Sequence, residues 1–65
     1  MISYQPLWIT LAKKNMKKKD LYSVASSATV ARMGKGEYIA LEVLDKICAL
    51  LDCPIEDVIE WHRDE

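Results

Sequence analysis

The sequence predicts a single all-α domain spanning residues 1–65, and three observations indicate this fold class. A chain of 65 residues builds one small hydrophobic core and has no room for a second domain. Two glycines and two prolines leave long stretches free of helix breakers. Apolar residues recur at helical spacing along most of the chain. The composition, 51% hydrophobic and 29% charged, is typical of a folded protein.

The first predicted helix covers residues 5–14. Pro6 suits the first turn of a helix, because the amide proton that proline lacks has no partner within the helix at that position. Asn15 is expected to end the helix. The apolar residues that share one face of this helix are Leu7, Trp8, Leu11 and Ala12.

Two shorter helices are predicted next, over residues 17–25 and 28–33. Ser26 or Ser27 is expected to cap the second of them, because a serine hydroxyl accepts a hydrogen bond from the first free amides of a helix. The glycines of Gly34-Lys35-Gly36 then end it. The side chains expected to face inward from residues 17–25 are Leu21 with Val24 or Ala25.

The fourth and fifth helices follow in the C-terminal half. The apolar repeat that predicts the fourth helix consists of Leu41, Leu44, Ile47, Cys48 and Leu51. Cys53-Pro54 ends this helix, since proline cannot continue one. Pro54 is then expected to begin the last helix, whose apolar residues are Ile55, Val58, Ile59 and Trp61.

Charge is divided unevenly along the chain. Residues 13–35 carry seven basic side chains against the single acid Asp20, and the first twelve residues carry no charged side chain. From Glu37 onward there are nine acids against Lys46 and Arg63. Because phosphate neutralisation releases counterions, clustered lysine and arginine favour nucleic-acid binding. The alternative for a lysine cluster by itself is a solvated surface.

The sequence offers little for catalysis, metal binding or membrane insertion. No apolar run approaches the roughly 18 residues of a membrane span, so we expect a cytoplasmic protein without a membrane partner. His62 is the lone histidine and lies near the C-terminus, where an exposed imidazole is the simpler interpretation. Cys48 falls on an apolar stripe and Cys53 has no histidine or lysine neighbour in sequence, which predicts unreactive thiols. No catalytic residue, cofactor or metal site is predicted.

The segment Ser26–Arg32 has features of a helix that reads nucleic acid. Small side chains let a helix approach base edges closely, and hydroxyls and backbone amides at its N-terminus can bind phosphate. Arg32 can pair with guanine. The alternative is that serine and threonine simply cap a helix. The lysine-rich stretch directly before this segment favours the recognition hypothesis.

Four stretches carry a resemblance to a known family. They are Leu7-Trp8-Ile9-Thr10-Leu11, Met16-Lys17-Lys18-Lys19-Asp20-Leu21, Ser26-Ser27-Ala28-Thr29-Val30-Ala31-Arg32-Met33, and Leu41 through Glu60. Together they cover nearly the whole chain, and the most specific part is the pattern L-E-V-L-x-K-I-C-x-x-L-x-C-x-I-x-D-V-I-E. The chain resembles the small Cro/lambda-repressor-type (XRE-like) helix-turn-helix regulators of bacteria and phages.

This resemblance implies a five-helix DNA-binding domain in which the third helix enters the major groove and the second lies across it. The residues that it implies as base contacts are Ser26, Ser27, Ala28, Ala31 and Arg32. The residues that it implies as phosphate contacts are Lys17, Lys18, Thr29, Lys35 and Tyr38. The residues that it implies as core are Leu21, Val30, Met33, Leu44 and Ile47.

The turn between the second and third helices departs from the family pattern. Such proteins usually carry L-x-x-x-A-G-I-S-x-x-x-V there, whereas Ala25 runs directly into Ser26, which makes the turn two residues short. One unbroken helix over residues 18–33 would place Leu21 and Val30 on opposite faces, which favours a domain-swapped dimer that exchanges helices three to five. The competing form keeps a tight break at the two serines and an intact monomer fold.

The sequence therefore predicts a non-enzymatic, sequence-specific DNA-binding transcriptional regulator. We expect a homodimer that occupies an operator on double-stranded DNA. This dimer is domain-swapped if residues 18–33 form one unbroken helix. The lysines would supply affinity and the third helix specificity. The alternative is a protein-interaction or dimerisation module of the same fold that does not bind DNA. Its working surface would be the acidic half with Ile55, Ile59 and Trp61.

Overall fold

Short helices joined by short loops make up the chain, and a pair of two-residue strands joins its two ends. The computed structural model describes residues 1–63, so the last two residues of the predicted domain lie outside the described part. The α-helices are α1 (Gln5–Lys13), α2 (Ser27–Gly34) and α3 (Leu41–Leu51). The 3₁₀ helices are η1 (Lys18–Ser23) and η2 (Ile55–Asp57). The strands are β1 (Ile2–Ser3) and β2 (Glu60–Trp61), which pair antiparallel with Ile2 opposite Trp61.

Helix α1 confirms the first predicted helix to within one residue. Pro6 lies in its first turn, as expected. Asn15 adopts the left-handed conformation, with φ of 58°. That conformation lets the Met16 amide donate back to the Leu11 carbonyl at 2.8 Å, which closes the end of the helix. On the predicted apolar face Leu7 and Leu11 are buried, whereas Trp8 is half-buried and Ala12 is exposed.

The predicted α-helix over residues 17–25 is wrong in type, because this segment is the 3₁₀ helix η1. Its start is fixed by the Asp20 carboxylate, which accepts the Lys17 amide proton at 2.7 Å. Its end is fixed by the Leu21 carbonyl, which accepts the amides of Val24 at 3.0 Å and Ala25 at 2.9 Å. Tighter 3₁₀ winding suits such a short span between two stops. It buries Ala25 with Leu21 and leaves Val24 half-buried.

Residues 18–33 do not form one helix, because Ser26 interrupts them in an extended conformation (φ −66°, ψ 159°). Its hydroxyl accepts the Thr29 amide proton at 3.1 Å and so caps α2, as predicted for this serine pair. The change of direction at residues 24–26 brings Leu21 and Val30 into one core, where both are buried. The described chain therefore has the tight break, and the fused helix that the domain-swapped form needs is not formed within it.

Helix α3 confirms the fourth predicted helix and spans the apolar repeat that predicted it, but fewer residues of that repeat are buried than expected. Leu44, Ile47 and Leu51 are buried, whereas Cys48 is half-buried. Leu41 is 76% exposed and does not belong to the core, because the helix begins there and its first residue projects beyond the packed layer.

The predicted last helix is wrong beyond its first turn. Pro54 precedes η2, a single 3₁₀ turn, and the chain then extends into β2. Pairing with the N-terminal strand replaces helical hydrogen bonds, since the His62 amide donates to the Met1 carbonyl at 2.8 Å and the N-terminal ammonium donates to the His62 carbonyl at 2.6 Å. Trp61 consequently lies on a strand and is 65% exposed. This strand pair also departs from the all-α prediction, and two of the five predicted α-helices are 3₁₀ turns.

One continuous core lies between the helices. All five core residues implied by the family resemblance are buried, which confirms that part of the prediction. Helix α2 packs against η1, and η2 packs against both α1 and α3. The buried apolar residues are Tyr4, Leu7, Leu11, Leu21, Ala25, Val30, Met33, Leu44, Ile47, Leu51 and Val58.

Replacing Ser26 by alanine is expected to lower the free energy of unfolding by about 1 kcal/mol, because it removes the hydroxyl that accepts the Thr29 amide proton. Urea denaturation followed by circular dichroism measures this change. The matched control is Ser27→Ala, which shortens another exposed serine one position later and is expected to cost less than about 0.5 kcal/mol. Equal losses in the two variants would contradict the capping role.

Candidate nucleic-acid interface

Helix α2 presents one exposed face of small side chains. Val30 and Met33 are buried, so with 3.6 residues per turn the opposite side of the helix faces outward. All five candidate base contacts are exposed on that side or at the cap before it. We call this surface, made of Ser26, Ser27, Ala28, Ala31 and Arg32, the α2 face. Its first four members reach no further than a serine hydroxyl, so another molecule can approach the backbone closely.

The Ser26 hydroxyl is engaged within the chain. Besides accepting the Thr29 amide proton, it donates to the Thr29 hydroxyl oxygen at 3.0 Å. One hydroxyl supplies a single proton, so this bond uses the Ser26 proton and leaves the Thr29 proton to donate elsewhere. The geometry thus gives Ser26 a capping role and makes Thr29, which is half-buried beside the α2 face, a hydrogen-bond donor at its edge.

Arg32 connects the α2 face to the loop that follows the helix. Its Nη2 donates to the Tyr38 carbonyl at 3.0 Å, and its Nε lies 3.4 Å from a Glu37 carboxylate oxygen. A guanidinium has five N–H groups, and these two contacts use two of them. Three N–H groups therefore remain for contacts with another molecule. The Arg32 side chain remains 55% exposed. The group can therefore hold the loop and still reach another molecule.

The loop after α2 is held from both sides, which fixes the position of Tyr38. On the inner side the buried Tyr4 donates its hydroxyl proton to the Glu37 carbonyl at 2.7 Å. Burial raises the pKa of Tyr4, so this donor keeps its proton at neutral pH. On the outer side Arg32 holds the next carbonyl, and the Tyr38 ring is 72% exposed. Sequence reasoning missed Tyr4, because this residue precedes the first helix and belongs to no periodic pattern.

Three cations gather at the C-terminal end of α2. Lys35 is the C-cap residue of α2, and Arg32 lies in its last turn. The Lys18 ammonium lies 4.5 Å from the centre of the Trp8 ring. It also lies close to Gly34, the last residue of α2, because a Cβ atom added there would be 3.5 Å from the Lys18 nitrogen. A cation–π contact orients the lysine, and cations are favoured at this end of the helix dipole. The exposed Lys17 is the N-cap residue of the adjacent η1.

The basic segment is not one surface. Lys13 and Lys14 line a separate open depression together with two acids, Asp52 and Asp57. There the positive charge is balanced locally. The cations beside the α2 face are therefore fewer than the seven counted along the sequence. Those at its C-terminal end are Arg32, a candidate base contact, and Lys18 and Lys35, which are candidate phosphate contacts.

The residues with potential for other chemistry lie apart from the α2 face. The His62 imidazole lies 3.0 Å from the Glu60 carboxylate on β2, and both side chains are exposed. Within residues 1–63 no three histidine, cysteine, aspartate or glutamate side chains are grouped closely enough to hold a metal ion. None of the helices in that same range has the length and apolar character needed to cross a membrane.

Comparison with known proteins agrees with this geometry. The family of Cro/C1-type HTH DNA-binding domains matches residues 6–64. The chain is also similar to a crystal structure (form II) of the transcriptional regulator VanUg, with a TM-score of 0.86 and 43% identity over 91% of this chain and 81% of that one. No curated protein matches the chain. A small, mostly helical fold and a family match over nearly its full length show that this chain belongs to the Cro/C1-type helix-turn-helix DNA-binding domains.

Proposed function

We propose that this chain is a sequence-specific transcriptional regulator that binds double-stranded DNA with α2 in the major groove. The observation that supports it best is the α2 face, an exposed row of small side chains with Arg32 at one end. A helix of this kind fits the major groove, where base edges are distinguishable. Helix α2 packs against η1, which would then take the place of the first helix of such a motif. The family match supports the same assignment.

The two ends of α2 would contribute different contacts. At the N-terminal end Ser27 and Ala28 lie closest to the free amides of the first turn, and the Thr29 hydroxyl proton is available for a phosphate oxygen. Further along, Ala31 and Arg32 would meet base edges, with Arg32 pairing to a guanine. Ser26 would contribute to DNA binding indirectly, because its hydroxyl caps and positions the first turn of α2.

Phosphate contacts would come from the cations around the C-terminal end of α2 and from Tyr38. Lys18 and Lys35 lie at that end, and Lys17 is the N-cap residue of the adjacent η1. The Tyr38 hydroxyl is carried on a loop that Tyr4 and Arg32 both hold, so it could donate to the DNA backbone without further ordering. Such contacts would supply affinity, whereas base contacts would supply specificity.

We propose that the regulator acts as a homodimer that occupies an operator, as a cytoplasmic protein without enzymatic activity. A single α2 presents few side chains to the bases, and two copies about one helical turn of DNA apart would double the readout. The tight break at residues 24–26 favours an ordinary dimer over a domain-swapped one, although a short connection of this kind is where swapping arises.

Duplex DNA binding is expected to weaken steeply with salt. If each subunit touches roughly four phosphates, a plot of log K against log salt has a slope of about −3.5 per subunit, so affinity falls about 100-fold per subunit between 50 and 200 mM. Fluorescence anisotropy with labelled operator-length duplexes measures the slope, and sedimentation gives the number of subunits. A reversed-sequence duplex of equal length is the control for specificity.

A flat salt response, or no binding at low salt, would contradict the proposal and favour an interaction module of the same fold. The apolar surface that an interaction module would use is smaller than the sequence indicated. Ile55 and Trp61 are exposed, whereas Ile59 is half-buried and packs against the core.

A further inference from the structure

The two cysteines meet in the motif that ends α3. Asp52 adopts the left-handed conformation with φ of 51°. The Cys53 amide donates to the Cys48 carbonyl at 3.1 Å, and the Asp52 amide points to the Ala49 carbonyl at 3.4 Å. These are the two hydrogen bonds of a Schellman motif, in which the residue after the left-handed one contacts the residue five positions before it. At both of these contact positions this chain has a cysteine.

The motif brings the two cysteines together at the end of α3. The 3.1 Å hydrogen bond from the Cys53 amide to the Cys48 carbonyl joins their backbones directly. The side chains at these two positions of a Schellman motif commonly contact each other. Both cysteines are free and half-buried. The helix end therefore makes the two cysteines neighbours, as a disulfide between them requires.

Cys53 is reachable from solvent through the depression described above. This open depression of about 370 Å³ is lined by Thr10, Lys13, Lys14, Asp52, Cys53, Pro54 and Asp57. Lys13 and Lys14 can attract the carboxylates of a small anionic disulfide such as glutathione disulfide, although the two aspartates weaken that attraction. Both cysteines pack against the core, and of the two only Cys53 also lines the depression.

We propose that Cys48 and Cys53 form a dithiol site that is oxidised to an intramolecular disulfide by a low-molecular-weight disulfide. In the first step the Cys53 sulfur attacks one sulfur of the oxidant, which forms a mixed disulfide and releases one thiol. In the second step the Cys48 sulfur attacks the Cys53 sulfur and releases the other thiol. The two protein protons and two electrons end on the released thiols, so one oxidant disulfide is reduced for each protein disulfide formed.

The environment makes this site slow to react. Burial is the largest cause that raises the pKa of both thiols. The carboxylates of Asp45 and Glu56 raise the pKa of Cys48 further. For Cys53, Asp57 and Asp52 raise the pKa and Lys14 lowers it. Because the thiolate is the attacking species, a raised pKa lowers the rate at neutral pH. Proximity acts in the opposite direction, since the second step is intramolecular and outcompetes a second molecule of oxidant.

Incubation of the full chain with glutathione disulfide tests the proposal. After quenching with iodoacetamide, mass spectrometry is expected to show a monomer that has lost two hydrogens and takes up no alkyl group. The variants Cys48→Ser and Cys53→Ser are expected to carry one glutathione each, with faster attachment in Cys48→Ser, which retains the cysteine that lines the depression. The unfolding midpoint of the oxidised wild-type chain is expected to rise above that of the reduced chain.

Three results would overturn the proposal. One is a wild-type chain that keeps two alkylatable thiols under conditions where the single variants take up glutathione. Another is a wild-type chain that accumulates glutathione on both cysteines. The third is an equal rate of glutathione attachment in the two single variants, which would show that the depression has no role. None of these measurements involves DNA, so they succeed or fail independently of the proposed regulatory function.

Discussion

An Ala31→Glu variant is expected to lose operator affinity by at least about 100-fold, equivalent to about 2.7 kcal/mol. Ala31 is exposed near the centre of the α2 face, between Ala28 and Arg32 along the helix. A glutamate there holds the helix away from the base edges and places an unpaired negative charge among DNA acceptors and phosphates, which costs several kcal/mol when such a charge is desolvated. Anisotropy titration at constant salt measures the loss.

The matched control for this variant is Ala49→Glu. Ala49 is also an exposed helical alanine, but it lies on α3, so the change adds the same charge away from the α2 face. We expect it to lower affinity by less than about 3-fold through general repulsion alone, and we expect thermal unfolding to show both variants folded. Comparable losses in the two variants would show that α2 is not the reading helix, even if DNA binding itself is found.

A Leu21→Ala variant is expected to lower the free energy of unfolding by about 2–5 kcal/mol, which is a large share of what a domain of this size has. Leu21 is fully buried and packs on the inner side of η1, next to the turn that leads into α2. Its removal leaves a cavity where the two halves of the helix-turn-helix meet. Urea denaturation measures the loss, and much of the protein is expected to be unfolded at 37 °C.

The neighbouring residue supplies the control for Leu21→Ala. Tyr22 lies on the same 3₁₀ helix and has a larger side chain, but it is 53% exposed. We expect Tyr22→Ala to cost less than about 1 kcal/mol. A greater loss for Tyr22 than for Leu21 would mean that η1 is rotated about its axis relative to the described structure.

The sequence by itself determined the helices whose pattern is local. Periodicity located α1 to within one residue and predicted α3 from its apolar repeat, because apolar spacing over nine or more residues fits a helix with one buried face. The serine cap of α2 was also predictable, since it depends on a hydroxyl and an amide only three residues apart. The members of the α2 face were implied by the family resemblance, and the burial of Val30 and Met33 on the opposite side leaves them exposed.

Tertiary structure decided the features that depend on distant partners. Residues 60–61 have a helical pattern in sequence, but hydrogen bonds to the N-terminal strand make them extended. The sequence was compatible with either a break at residues 24–26 or one continuous helix. The structure has the break, because only the break lets Leu21 and Val30 be buried in one core. The loop that carries Tyr38 is fixed by Tyr4, which lies 33 residues before the carbonyl that it binds. Local pattern cannot encode such contacts, because their energy comes from groups that only the folded chain brings together.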